Sequence, residues 1–259
     1  MVIDCHVHIS PREGCVDDLL AAMDQNAIDM AVVFGDDNEN TRRACDAHVD
    51  RLIPFGQVRL GRDPFLTVDR LADRGFKGLK FIYPTRNYND ERLLPYYGAA
   101  ERHGLVCLFH TGIVARDNVT EPSTDDTSRM KVIWLDLVCR MFPKLTVIAA
   151  HMGNPDHEEG AMMARWHPNF YFDLSGSSLL HRSPQFFGEL FWWDKETRFT
   201  RRSGWRPFEK MVFATDEPYE RLHEPMAEQR ALLEALDQDE AMIAKVLGLT
   251  AARLLGIGV

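Results

Sequence analysis

The chain has 259 residues, of which 45% are hydrophobic and 27% charged, a length and balance that provide for one large buried core and exclude a disordered or fibrous protein. Its net charge is −9 and its Lys and Arg residues form no cluster, which excludes nucleic acid as a partner, because binding a phosphate backbone needs concentrated positive charge. The first residues carry no basic stretch followed by a long apolar one, and no apolar run approaches the roughly 18 residues of a membrane span, so no membrane partner and a cytoplasmic location are expected.

Short apolar runs bounded by Gly, Pro or Asp alternate with longer stretches of helical spacing. A strand over residues 2–8 precedes a helix over 16–25, strands over 30–34 and 53–58, and a helix over 64–74 with Asp63 as N-cap and Pro64 in the first helical position. There follow a strand at 78–83, a helix at 89–103, a strand at 106–110 and a helix at 128–142. Strands at 146–151, 170–174 and 211–215 and an amphipathic helix at 238–255 complete the chain. Eight strands alternating with helices make an α/β protein, and the number fits a closed (β/α)8 TIM barrel better than an open doubly wound sheet. No Ser-, Gly- or Pro-rich linker and no repeat divides the chain, so residues 1–259 are expected to form one domain.

The two longest interruptions are residues 111–127 and 175–207. The second carries Phe186, Phe187, Phe191, Trp192, Trp193, Phe199 and Trp205, which would roof a site or form the interface of a homodimer. Five cysteines, Cys5, Cys15, Cys45, Cys107 and Cys139, make no CxxC pair and read as reduced, buried thiols.

The chemistry concentrates where the apolar runs stop. In Asp4-Cys5-His6-Val7-His8 alternate residues of a strand share a face, so Asp4, His6 and His8 should project together. The runs ending in His110, His151 and Asp216 deliver two further imidazoles and a carboxylate to strand carboxyl ends, the face on which barrel enzymes keep their active sites. As unrelated core residues these groups would be desolvated without compensation. Together they supply the nitrogen and oxygen donors that suit Zn2+ with a position left open. The same donors accept Mn2+, Co2+ or Fe2+.

The pattern resembles the amidohydrolase superfamily, and within it the amidohydrolase-2 branch that includes aminocarboxymuconate semialdehyde decarboxylase and related hydrolases. The matching stretches run from Asp4–His8 through Gly75-Phe76-Lys77-Gly78-Leu79-Lys80-Phe81, His110, Ala150-His151-Met152-Gly153 and Ala214-Thr215-Asp216-Glu217-Pro218 to Leu249-Thr250-Ala251-Ala252-Arg253-Leu254-Leu255-Gly256. The resemblance implies a metal shell of His6, His8, His110 and Asp216, with Asp216 also the general base. It makes His151 a catalytic group that polarises the substrate or moves a proton, or a ligand of a second ion together with Lys80.

One ion is favoured over two. Lys80 shares the parity of Gly78 and Ile82 and should point into the barrel, where a lysine is costly unless paired or modified. Beside one ion it would anchor a substrate anion or pair with Asp4 or Asp216; between two ions it would be carboxylated. Tyr83, Arg116, Arg129 and Asn154 flank strand ends and could hold an anionic or polar substrate group. Asp173 and Ser175 share one face of the seventh strand, and Ser175 and His181 follow its end.

The expected activity is metal-dependent hydrolysis, with water attacking the carbonyl of an ester, lactone or amide in a small molecule. The alternatives are nonoxidative decarboxylation of an aromatic or unsaturated carboxylic acid and a metal- or ligand-binding barrel without turnover.

Overall fold

The computed structural model describes residues 1–115, 123–176, 179 and 181–258. Apolar runs too short for helices pair in chain order as β1 (Ile3–His8), β2 (Met30–Phe34), β3 (Leu52–Gln57), β4 (Gly78–Phe81), β5 (Val106–His110), β6 (Thr146–Ala150) and β7 (Phe170–Phe172), all parallel. Helices α1 (Cys15–Gln25), α2 (Asn38–Ala47), α3 (Leu66–Asp73), α4 (Leu94–Arg102), α5 (Leu135–Met141) and α6 (His157–Trp166) return the chain between strands. One set of strand residues, including Val32, Phe34, Ile53, Phe55, Leu108 and Ile148, fills the inside of the curled sheet. The alternate set, including Val33, Leu79, Phe81, Phe109 and Val147, packs against the helices.

The sheet has seven strands rather than the eight expected, and residues 211–215 form no regular strand. They still lie between the two edges. Met211 makes one parallel bridge to Phe172, Val212 N donates to Phe172 O at 3.0 Å, and Cys5 N donates to Phe213 O at 2.9 Å. The ladder breaks because two donors of the segment go elsewhere: Phe213 N to Val246 O at 2.9 Å and Thr215 N to the Asp4 carboxylate at 3.1 Å.

Other boundaries moved for local reasons. The carboxylate of Asp63 accepts from Arg59 N at 2.8 Å, so it caps no helix and α3 begins at Leu66. The tail helix is interrupted by a π-helical turn, Lys245–Leu249, whose Val246 carbonyl receives Phe213 N. In β1 the pairing with β2 shifts register between Asp4 and Val7. Ile3 and Cys5 accordingly join the interior cluster while Val7 joins the outer one, so strict alternation fails there.

Three of the seven aromatics of the long segment are core. Phe187, Phe191 and Trp193 are buried, with Phe191 stacked 5.6 Å from Phe172, and only Trp192 of these is exposed. All five cysteines are buried and free. Among the described residues no helix is long and apolar enough to cross a membrane.

Gly112, two residues beyond the last histidine of β5, shows how tightly the mouth is built. Its φ is +103°, and a Cβ there would sit 1.9 Å from the Asn154 carbonyl oxygen. Gly112→Ala therefore adds steric overlap to backbone strain and should destabilise the protein by roughly 2–4 kcal/mol. Gly104→Ala, at φ +65° with nothing within 4 Å, should cost only about 1–2 kcal/mol of strain. Urea unfolding of the two variants measures the difference, and equal losses would contradict the packing argument.

Candidate metal centre

Strand ends and one irregular segment bring the polar groups together. His6 comes from β1, and its Nε2 lies 3.4 Å from Asp216 Oδ1, which follows the closing segment. His151, just past β6, places Nε2 3.7 Å from Asp216 Oδ2. His6, His151 and Asp216 offer one ligand atom each, all within 4.8 Å of one another, a donor set able to hold a metal ion.

Both His151 and Asp216 have left-handed backbones, φ 61° and 52°, a conformation that costs a residue with a Cβ about 1–2 kcal/mol. Hydrogen bonds hold them there: His151 N to Asp173 Oδ1 at 2.9 Å and Asp216 N to His6 O at 3.0 Å. Such strain persists only where the surrounding contacts hold it.

The remaining imidazoles flank this trio. His8 stands at the rim with its side chain 57% exposed and Nε2 3.3 Å from Asp216 Oδ1. His110 is buried; its Nδ1 lies 3.2 Å from His151 Nε2, and its Nε2 has no hydrogen-bond partner. An orphaned buried nitrogen is costly, and a metal ion would satisfy it.

Lys80 points inward as its parity requires. Its ammonium lies 2.9 Å from His6 Nε2 and 4.9 Å from the centre of the Phe34 ring. Asp4 does not join the imidazoles at the mouth, because its carboxylate accepts from Thr215 Oγ1 at 2.6 Å and from the N–H groups of Thr215 and His6 at 3.1 Å.

Burial dominates the electrostatics. It pushes His6 down to about 4, with Asp216 opposing and Lys80 adding to the effect. It also holds His110 well below the usual range, helped by His151. Both rings are therefore neutral near pH 7, the form that ligates metals. Lys80 is lowered to about 8 by burial against the pull of Asp216 and Asp173. For Asp173 burial acts upward, but the hydrogen bond and charge of His6 outweigh it and bring the carboxyl to about 2. Burial likewise raises Asp216, and His6 and His8 more than reverse it.

Tyr83 has a left-handed φ of 50° and packs against the outer core. Arg129 Nε lies 3.5 Å from Asp126. The Asn154 carbonyl receives Ile113 N at 3.0 Å. Arg116 lies outside the described residues.

Two groups gained importance. Asp173 and Ser175 form the floor beneath His6 and His151, and their shared parity and the place of Ser175 after the seventh strand were the signs of it. Phe34, whose ring lies 5.4 Å from His6 and 4.6 Å from His8, gave no signal at all, being one more apolar strand residue. A cavity of about 460 Å3 opens beside the cluster, lined by His8, Ser10, Arg12, Asp216, Glu217 and Tyr219 among others.

The sequence profile of the amidohydrolase family matches residues 3–257. The chain belongs to that family. No curated protein sequence matches it. Among solved structures, this amidohydrolase is similar to an uncharacterized TIM-barrel protein from Bordetella bronchiseptica, with 18% identity over 99% of this chain and 98% of that one and a TM-score of 0.70. A 5-carboxyvanillate decarboxylase from Novosphingobium aromaticivorans, in complex with manganese and 4-hydroxy-3-methoxy-5-nitrobenzoic acid, gives 16% identity, coverage of 99% and 96%, and a TM-score of 0.66. A probable 2-pyrone-4,6-dicarboxylic acid hydrolase from Acinetobacter baumannii, with citric acid bound, gives 15%, 98% and 99%, and 0.62. At these identities the likeness establishes the fold.

Asp4 yields a test of the electrostatics of this amidohydrolase. Burial raises its carboxyl from 3.8 to about 7 against the hydrogen bonds from Thr215 and His6. Between those values the folded state binds a proton that the unfolded chain releases. The group's contribution to stability is thus complete below about pH 4 and lost as pH rises through 7. Asp4→Asn mimics the protonated carboxyl and should flatten the fall in unfolding free energy from pH 4 to 7 by a few kcal/mol, at about 1.4 kcal/mol per pKa unit. Urea titrations of the metal-free protein across this range measure the slope; an unchanged slope contradicts the assignment.

Proposed function

We propose that this amidohydrolase is a metal-dependent hydrolase that directs water at the carbonyl carbon of an ester, lactone or amide in a small organic substrate. One observation carries the reading: the carboxylate of Asp216 stands 3.3–3.7 Å from imidazole nitrogens of His6, His8 and His151. Its side chain is 24% exposed and lines the adjoining cavity, so a base among ligands is within reach of solvent.

In this reading His6, His8, His110 and Asp216 hold one ion, Zn2+ before Mn2+, Co2+ or Fe2+; a second ion would take Lys80 and His151. The neutral rings of His6 and His110 and the orphaned His110 Nε2 fit that role. When bound, the ion lowers the pKa of water toward about 7 and polarises the carbonyl. Asp216, held ionised by His6 and His8, would be the group that takes the proton from the attacking water. His151 Nε2, 3.7 Å from Asp216 Oδ2, is placed to receive the proton and return it to the leaving group. Lys80, whose ammonium lies 2.9 Å from His6 Nε2, would be released from that lone pair were the ring a ligand, and would then offer its charge to an anionic part of the substrate.

Decarboxylation is the second reading, and Lys80 is the observation that favours it. A buried ammonium against the ligand cluster could hold a substrate carboxylate, and among similar folds is a 5-carboxyvanillate decarboxylase.

The protein, with its metal content measured, should release acid from at least one member of a panel of lactones, esters and amides. Carbon dioxide release from aromatic acids without hydrolysis would establish the second reading. A full metal complement with neither product would leave a binding barrel. Removal of the metal by a chelator should abolish turnover, and Asp216→Asn should lower kcat by about 10²–10⁴-fold, the usual worth of a general base, with metal retention measured alongside.

A further inference from the structure

Beneath the ligand cluster, Ser175 Oγ lies 2.7 Å from Asp173 Oδ1, 3.0 Å from His151 Nδ1 and 3.3 Å from His6 Nδ1. A hydroxyl has one proton to give. Asp173 Oδ1 already accepts the backbone N–H groups of His151 at 2.9 Å and Ser175 at 3.0 Å, so it is an acceptor, the hydroxyl proton goes to it, and Ser175 Oγ is left to accept from the two rings. His151 Nδ1 also faces the Ser175 carbonyl oxygen at 2.9 Å, another group that can only accept. His6 Nδ1 faces the second oxygen of Asp173 at 3.4 Å. Every partner on the Nδ1 side of both rings is therefore an acceptor. A neutral imidazole carries one N–H, and when it sits on Nδ1 the opposite nitrogen is a bare lone pair.

The proton count extends upward, and the one opposition it leaves, the Asp216 oxygens 3.4 and 3.7 Å from the Nε2 atoms of His6 and His151, is one that a cation held between them would relieve. His6 Nε2, as a lone pair, suits the Lys80 ammonium 2.9 Å away, which can only donate. His151 Nε2, as a lone pair, requires His110 Nδ1 to be the donor across their 3.2 Å contact. His110 then has its own lone pair on Nε2, the buried nitrogen without a partner. One assignment satisfies all these contacts, and it leaves three imidazoles with unprotonated Nε2 atoms.

We propose that Asp173 and Ser175 are a positioning pair that locks His6 and His151 in the Nδ1-protonated tautomer, and through His151 orients His110, so that all three Nε2 atoms turn unprotonated lone pairs toward the cluster, for an ion at His6 and His110 and for a proton or a second ion at His151. The purpose of the pair rests on the metal reading above; its geometry does not. Neither residue touches the reacting atoms. They act through the rings they orient, as carboxylates behind metal-bound histidines do, where removal typically weakens metal binding about 10–100-fold.

The direct test is 15N NMR of the full chain with labelled histidine, before and after addition of Zn2+, with the two rings assigned by the signals lost in H6N and H151N. The proposal expects the proton on Nδ1 of both rings in both states; a protonated Nε2 on either neutral ring overturns it. Asp173→Asn puts an NH2 donor where the carboxylate accepts and should shift His6 toward the Nε2-protonated form, with Zn2+ affinity, measured by chelator competition, falling about 10–100-fold. Ser175→Ala, a small truncation that spares the fold, should give a smaller loss in the same direction. Variants that melt earlier but keep native zinc affinity and native tautomers would make the pair merely structural and overturn the proposal. Wild-type protein that binds no Zn2+ would sink the metal reading, while the ring protonation would still decide the positioning claim.

Discussion

Asp173 is an ionised carboxylate fully shielded from solvent at the end of β7, and an unpartnered charge there would cost several kcal/mol. It is tolerated because donors close around it: His151 N, Ser175 N and Ser175 Oγ on one oxygen, His6 Nδ1 on the other. Each donor is constrained in return. The bond to His151 N holds a backbone that would otherwise relax from its left-handed conformation, and the contact to His6 fixes the plane of a ring on the far side of the closing segment. The site above is therefore assembled on this one buried charge, and its rings cannot be reoriented without exposing or abandoning it.

A second constraint comes from the way the sheet closes. Residues 211–215 meet β1 through one backbone bond and through Asp4, whose carboxylate takes both the N–H and the hydroxyl of Thr215. A regular eighth strand would have kept its N–H groups in the ladder and continued the alternation past Thr215. Side-chain closure instead lets the chain turn at once into the left-handed Asp216, whose own N–H is caught by His6 O. The irregularity and the register shift in β1 lie opposite each other, and together they bring a carboxylate from one edge against imidazoles from the other. Bulges and broken ladders next to active sites serve this end.

Much of this was legible in the chain, and the failures have physical causes. Runs such as Met30–Phe34 and Val106–His110 are recovered to the residue because an apolar run flanked by polar turns has few alternatives. The eighth strand was equally apolar, and the sequence could not show that Val246 and Asp4 would capture its donors. The histidines and Asp216 announced themselves as polar residues at the ends of buried runs. Asp173 and Ser175 did so only faintly, since two polar residues at a strand end also describe an ordinary turn. Alternation misplaced Asp4 relative to His6 because a bulge reverses parity, and bulges are set by the partner strand rather than by the residues that contain them. The long tail helix broke at a π turn that answers to Phe213 N, a contact far away in sequence.

Lys80 bears on both chemistries considered for this site. The groups it touches, an imidazole lone pair and the face of Phe34, carry no full negative charge, and burial lowers its pKa to about 8 against the pull of Asp216 and Asp173. A buried cation so partnered gains more from an incoming anion than it loses by leaving its neighbours, since attraction between full charges strengthens as the dielectric falls. It is thus suited to a carboxylate, whether that group is the one expelled in a decarboxylation or the one formed when a lactone or ester opens. The ammonium alone does not choose between them. In the proposed reading the choice lies with the base: an Asp216 carboxylate between His6, His8 and His151 would take a proton from water, a step that hydrolysis requires and loss of carbon dioxide does not.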